Sequence, residues 1–369
     1  MAEPRVVHLT PALFGEEGVF GGAERYTFEL ARAMAQRTET SLVCFGPTHK
    51  AFSTAEGLRV QVLGPARKVR GQEFNRWHRG LFRALAEADV VHCHQPRMLA
   101  CEVAALYARA RGKVVVASDL GAGGWGFSAY VKTDDWFHWH LHLSEYSRRL
   151  APLASQHRSA VISGGVDDGR FSPDASVKKA PLVVFVGRLM PHKGVIDLVD
   201  ALPDGLTLEL IGRPYHERYL SELKRRAEGK AVRFETDCND DAIVRAYRRA
   251  LVAVLPSVYR DCYGNETKVP ELLGQTPLEA MACGTPAIVT DVASLPEVVA
   301  DGVTGFVVPP NDPRSLRAKL EWFRDHPDAG ARMGAAGRRR VVEQFLWPKV
   351  VDRCLERYSS ARDSRRRSA

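Results

Sequence analysis

The chain has 369 residues, 45% hydrophobic and 26% charged, with a formal net charge of +8. That length exceeds one ordinary core and suits two domains of roughly 150–200 residues, and no apolar run approaches the ~18–20 residues that span a bilayer. Seven scattered cysteines without C-x-x-C spacing, and a start that lacks signal-peptide character, point to free thiols in a reducing cytoplasm.

In chain order, the strand candidates are RVVHL, TSLVCF, RVQVL, DVVHCH, KVVVAS, LHLSE and SAVIS in the first half. In the second they are LVVFVG, LTLELIG, AVRFE, LVAVLPS, PAIVTD and TGFVV. These runs are apolar on both alternations, as in parallel sheets covered on both faces. Helical patterns such as AERYTFELARAMAQR, ERYLSELKRRAEG and DAIVRAYRRAL fill the intervals, so the repeated unit is strand–helix–strand. The series starts twice, on either side of a polar, proline-bearing linker at 167–181. The expected architecture is α/β: two doubly wound, Rossmann-like domains, 1–172 and 178–346, facing a cleft lined by strand carboxyl ends. From about Asp312 the chain reads as helical, closing in SSARDSRRRSA, a frayed and solvated tail.

Several stretches admit two readings each. GVFGGAERYTFELARA, Gly18–Ala33, runs Gly21 and Gly22 into a helix start, either a tight turn or a cradle for an anion. It is not G-x-G-x-x-G, so a dinucleotide fingerprint is not satisfied. FNRWHRGLFRAL reads as a helix with Phe74, Trp77, Leu81 and Leu85 on one face and Arg76, Arg79 and Arg83 on another. Such a helix packs on a core with a solvated basic face, or docks on an anionic membrane surface. His92-Cys93-His94 ends a strand, where a ligand-facing role for His94 competes with plain packing. FHWHLH sets His138, His140 and His142 at alternate positions; with no carboxylate or cysteine partner, packing or ligand contact is favoured over a metal.

Two stretches of the second half carry the charge chemistry. In VFVGRLMPHKG, Arg188 and Lys193 flank a turn forced by Pro191, either a solvated basic turn or a grip on a diphosphate. In PELLGQTPLEAMACGTP, Glu271 and Glu279 lie eight apart around Gly274. Thr276-Pro277-Leu278-Glu279 fits a capping box. If the helix instead begins nearer Gly274, Glu279 is released to face a ligand.

Taken together, GGAER, GRLMPHKG, the E-x₇-E of Glu271 and Glu279, and LEAMACGTPAIVTDVASLPEVVADGVTGFVVPPNDP resemble the retaining family 4 glycosyltransferases of GT-B architecture. The resemblance implies a nucleotide-sugar donor held by the C-terminal domain and the acceptor by the N-terminal one. Arg188 and Lys193 would bind the diphosphate, Glu271 sugar hydroxyls and Glu279 the ribose. The backbone at Gly274, Gln275 and Thr276 would meet phosphate, with Gly21 and Gly22 closing from the other domain. The final stretch, 347–369, resembles the terminal segment that crosses back to the first domain. Where the family often carries T-V-H-D, this chain reads VASDLGAGGWG. Ser118 replaces the histidine, Asp119 matches the aspartate, and Trp125 in the following glycine-rich loop offers contact to sugar or acceptor.

The expected activity is hexosyl transfer from a UDP- or GDP-sugar to a hydroxyl acceptor, lipid-linked acceptors included. No metal or cofactor is implied, and the sequence has no D-x-D pair. The expected location is cytoplasmic, with the inner membrane face as a docking surface. The alternatives are a nucleotide-sugar epimerase or hydrolase on the same scaffold, and a non-catalytic nucleotide-binding protein. Nucleic-acid binding is disfavoured because the basic clusters lack interleaved aromatics.

Overall fold

The computed structural model describes residues 3–11, 14–15, 18–19, 21–121, 123–237 and 239–368. The chain divides into two compact units, Met1–Gly165 with Trp347–Ala369, and Val166–Leu346. Residues 166–172, read from sequence as the end of the first domain, lie in the second unit. Val166 N–H donates to Phe345 O at 2.7 Å, and Arg338 reaches Phe171 O at 3.1 Å.

The first unit is built on an eight-stranded sheet. Its spatial order is Ser159–Val161, Trp139–His142, Val114–Ser118, Val90–His94, Val6–Leu9, Thr40–Phe45, Arg59–Leu63 and Lys50–Ser53. All neighbours are parallel except the last pair. The strands Val6–Leu9, Thr40–Phe45, Val90–His94 and Val114–Ser118 are buried at every position, which is what their two-sided apolar runs require. The chain winds outward from Val6–Leu9 one way and then, from Val90–His94, the other. Such a reversal is where doubly wound sheets place ligands. The helix Trp347–Ser368 returns to this unit, and the Tyr358 hydroxyl lies 2.7 Å from His92 Nδ1.

The second unit carries six parallel strands in the order Val232–Glu235, Thr207–Ile211, Leu182–Val186, Val252–Leu255, Ala287–Thr290 and Gly305–Val308. Its reversal falls between Leu182–Val186 and Val252–Leu255. The loops after these two strands therefore emerge side by side.

Two sequence expectations are corrected. Residues 74–85 are not one amphipathic helix: Arg67–Val69 and Gln72–Trp77 pair as an antiparallel hairpin, and only Leu81–Ala84 is helical. Arg70 and Gly71 at φ 49° and 74° make the tight turn that sets the hairpin. Leu81 and Leu85 are buried while Phe74 is 55% exposed, so the presumed apolar face is split. The closing SSARDSRRRSA is not a frayed tail through Ser368, because the final helix runs that far. No glycine or proline after Pro348 stops it.

The arginine cluster at 338–340 is partly structural. Arg338 donates to Phe171 O and Ala282 O, and Arg340 to Val298 O and Glu297 O. Cys44, Cys93, Cys101, Cys283 and Cys354 are buried free thiols and Cys262 is an exposed one; Cys238 lies outside the described residues. No helix among the described residues is long and apolar enough to cross a membrane.

Candidate functional site

In the second unit, the chain leaves strand Leu182–Val186 at Gly187 and forms one 3₁₀ turn over Pro191–Lys193. Gly194, at φ 64°, then turns it into the helix Val195–Ala201. This loop is held against the exit of strand Val252–Leu255, where Val258 N–H donates to His192 O at 2.9 Å. Lys193 is thereby fixed opposite Glu271, with Nζ 2.5 Å from Oε1. Both side chains are nearly covered, at 13% and 10% exposure. Ser257 Oγ donates to the same oxygen at 2.6 Å, and Ser294 Oγ holds the Glu271 carbonyl. Ser257 is in turn anchored by Thr290 Oγ1, which donates to its carbonyl at 2.5 Å.

The helix after Glu271 begins at Gln275, with Gly274 as N-cap at φ 90°. Thr276 is therefore inside the first turn and the capping box does not form. Glu279 sits one turn further in, buried, with Gln275 Nε2 at 3.4 Å from its Oε1. A helix start presents backbone N–H groups without intrahelical partners, a natural anion seat. Arg188 lies at the head of the loop, exposed, with its Cζ 5.7 Å from the centroid of the Tyr215 ring. Burial, and Lys193 beside it, push the His192 imidazole down to about 4. The second unit thus gathers Lys193, Glu271 and the start of the Gln275 helix, with Ser257 as a partner that the sequence did not single out.

On the helix that follows this loop, burial and the neighbouring Asp200 push the Asp197 carboxyl up to about 6. Its folded-state proton is held more tightly than the ordinary carboxyl value near 4. The associated stability is therefore present below about pH 4 and lost as pH rises through 6. Asp197→Asn should stabilise the fold at pH 8 by about 1 kcal/mol after solvent screening, raising the thermal midpoint, and give no gain at pH 4. Unfolding curves at the two pH values check this.

In the first unit, Gly21 is the N-cap and Gly22 the first residue of the helix Gly22–Ala35. A Cβ on Gly22 would meet nothing within 4 Å. Phe20, just before Gly21, lies outside the described residues. Asp119 is half-buried and turns the chain by accepting from Gly121 N–H at 3.0 Å. The glycine-rich loop beyond it, where Ala122 is also outside the described residues, is pinned by side chains the sequence reading missed. Gln72 accepts from Trp125 N–H at 2.8 Å, Asn75 donates to Trp125 O at 2.7 Å, and buried Glu102 accepts from Phe127 N–H and, at 2.9 Å, from Ser128 N–H. Arg70 stacks over Trp125 at 4.3 Å.

His94 and Ser118 are fully buried. Ser118 Oγ is 2.8 Å from His92 Nε2, and His94 Nε2 is 3.0 Å from His8 Nδ1. Among the described residues, the metal-competent gathering is His8, His92 and His94, not the alternate histidines of FHWHLH. His138 Nδ1 accepts from Val115 N–H, and the His140 ring turns to Asp134 O. Burial pushes His8 down to about 3 and holds His92 and His94 well below the usual imidazole range.

Known proteins resemble the chain in two blocks. The description "Glycosyltransferase Family 4" matches residues 20–170 and "Glycosyl transferases group 1" matches 170–340. An alpha-maltose-1-phosphate synthase of Mycolicibacterium smegmatis is 32% identical over 238 residues, covering 57% of this chain and 59% of that protein. A D-inositol 3-phosphate glycosyltransferase of Thermomonospora curvata is 30% identical over 259 residues, covering 60% and 56%. The chain thus spans a little over half the length of these curated relatives. Among solved structures, HepE from Anabaena, in complex with UDP and glucose, superposes with a TM-score of 0.73 at 17% identity, over 97% of this chain and 100% of that one. Both halves of the sequence and both sheets lead to one assignment: the chain belongs to the family 4 glycosyltransferases and has their GT-B fold.

Proposed function

We propose that the protein is a retaining hexosyltransferase that uses a nucleotide diphosphate sugar, UDP- or GDP-linked, and a hydroxyl acceptor. The observation that carries this reading is the Lys193–Glu271 pair at 2.5 Å, placed where the second sheet reverses and next to the start of the Gln275 helix. A departing nucleoside diphosphate accumulates negative charge, and fixed cations with oriented amides stabilise it best where water is scarce. Lys193 and Arg188 supply the cations, and Gly274, Gln275 and Thr276 the backbone. Glu271 accepts hydrogen bonds from sugar hydroxyls once Lys193 turns to phosphate, and Glu279 does the same for the ribose. The leaving phosphate takes the acceptor proton on the face it departs from, so configuration is retained without a carboxylate nucleophile. The transfer itself calls for no metal or cofactor.

The first unit supplies the acceptor side in this reading. Asp119 and Trp125, on a loop braced by Gln72, Asn75 and Glu102, are its contact residues, while His94 and Ser118 are buried and touch no ligand, and Gly21 and Gly22 offer backbone to an anion. The relatives, an alpha-maltose-1-phosphate synthase and a D-inositol 3-phosphate glycosyltransferase, favour a small polyol or sugar phosphate over a lipid.

A thermal-shift panel of UDP, GDP, ADP and dTDP tests the donor. A nucleotide that binds only the folded state stabilises it, by about 2.7 kcal/mol at a hundredfold excess over Kd, and so raises the midpoint. One of UDP or GDP should stand clear of the others. A flat response to all four would remove the proposal, and sugar-nucleotide turnover without acceptor would favour a hydrolase or epimerase.

A further inference from the structure

The three-histidine cluster of the first unit has no part in the proposed transfer. It exists because the strand order reverses between Val6–Leu9 and Val90–His94, with His8 opposite His92 in register. One ring nitrogen from each of His8, His92 and His94 lies within 4.8 Å of the others. The His92 and His94 rings stack with centroids 4.3 Å apart, and all three residues have zero solvent exposure.

A proton count finds one nitrogen left over. His8 Nε2 faces the Met34 thioether at 3.3 Å, which has only lone pairs to offer, so this nitrogen carries the hydrogen. His8 Nδ1 is then an acceptor and takes the N–H of His94 Nε2 at 3.0 Å. His94 Nδ1 is left as a bare lone pair, and it has no hydrogen-bond partner. His92 is satisfied on both sides, by the Tyr358 hydroxyl at 2.7 Å and Ser118 Oγ at 2.8 Å. A buried, unfilled imidazole lone pair is destabilising unless something electrophilic meets it.

We propose that His8, His92 and His94 form a binding site for a monovalent copper ion. Imidazole nitrogens suit copper, zinc and nickel alike, so charge decides among them. The cluster contains no carboxylate or thiolate, so nothing in it offsets an ion's charge. A divalent ion there would keep its full charge in a dry core, whereas ion burial costs rise with the square of charge. Cu(I) brings one charge, accepts two to four nitrogen donors and tolerates a nearby thioether. Coordination replaces the His8–His94 hydrogen bond by bonds from each ring to the ion, the His94 proton moving from Nε2 to Nδ1. The other nitrogens of His8 and His92 keep their orienting partners, Met34 and Tyr358, as the outer partners of metal-bound imidazoles do. No electron is transferred. The ion staples the first strand to Val90–His94 beneath the returning helix.

The test is an anaerobic titration of the full-length protein with Cu(I) against a chromophoric cuprous chelator, followed by X-ray absorption of the loaded protein. One copper per chain with an imidazole-nitrogen shell is expected. His8→Gln and His94→Gln should each abolish stoichiometric uptake, and Tyr358→Phe should weaken it about tenfold. The proposal falls if the wild-type protein withdraws no copper from the chelator, or if the shell is sulfur from the free cysteines. It also falls if Zn²⁺ is taken up as tightly. The wild-type absorption spectrum decides even where a variant does not fold.

Discussion

Lys193→Ala is expected to lower kcat for sugar transfer by about 10²–10³-fold, the usual effect of deleting one fixed group that meets developing charge. It should also destabilise the second unit. Glu271 would keep only the Ser257 hydroxyl on Oε1, and a nearly covered carboxylate that loses its cation forfeits about 1.5–3 kcal/mol. The two effects separate in the double variant Lys193→Ala/Glu271→Ala. Removing both charges should recover much of the lost stability, because the cost lies in the uncompensated partner, yet activity should stay lost. Steady-state kinetics beside denaturant unfolding of the three variants reads both quantities. Near-wild-type turnover in a folded Lys193→Ala protein would sink the proposed donor site.

Gly194→Ala should be nearly as damaging without touching a charge. The residue sits at φ 64°, a conformation that strains any side chain by about 1–3 kcal/mol. A Cβ there would lie 1.9 Å from Pro256 O, so the backbone of one loop must move away from the other. Those two loops carry Lys193 and Glu271. A displacement near 1 Å at a catalytic group costs on the order of 10²-fold, so kcat should fall together with the unfolding midpoint. Gly22→Ala is the matching control. Its Cβ meets open space and its position begins a helix, so its stability should change by no more than a few tenths of a kcal/mol. Equal losses in the two variants would contradict this account.

Most of the scaffold could be read from the chain because buried parallel strands are written as short β-branched runs. LVVFVG and LVAVLPS announce themselves, and the residues after them were the natural place to look for a ligand. Residues 74–85 misled because Phe74, Trp77, Leu81 and Leu85 happen to follow a helical period. The deciding signal was Arg70 at positive φ, which residue type does not advertise for arginine. The site shows the same division. Lys193 and Glu271 each stood out locally, but their contact spans 78 positions and depends on which strands neighbour one another. The capping box was open on either register until Gly274 took φ 90°. His92 and His94 were visible as a pair, whereas His8 became their partner only through the register of the first strand. Gln72, Asn75 and Glu102 carried no motif, because side chains that brace a loop backbone are chosen by reach and not by pattern.

The return of the final helix to the first unit has a topological consequence. The second unit enters at Val166 and leaves at Leu346, and these two residues are bridged, with the Val166 N–H on Phe345 O at 2.7 Å. Its ends are therefore already in contact, as in a domain spliced into a host. For the host unit the whole insertion counts as one long loop with a clamped neck. Closing such a loop grows harder only with the logarithm of its length, so lengthening or shortening a peripheral loop of the second unit should leave the folding of the first almost untouched.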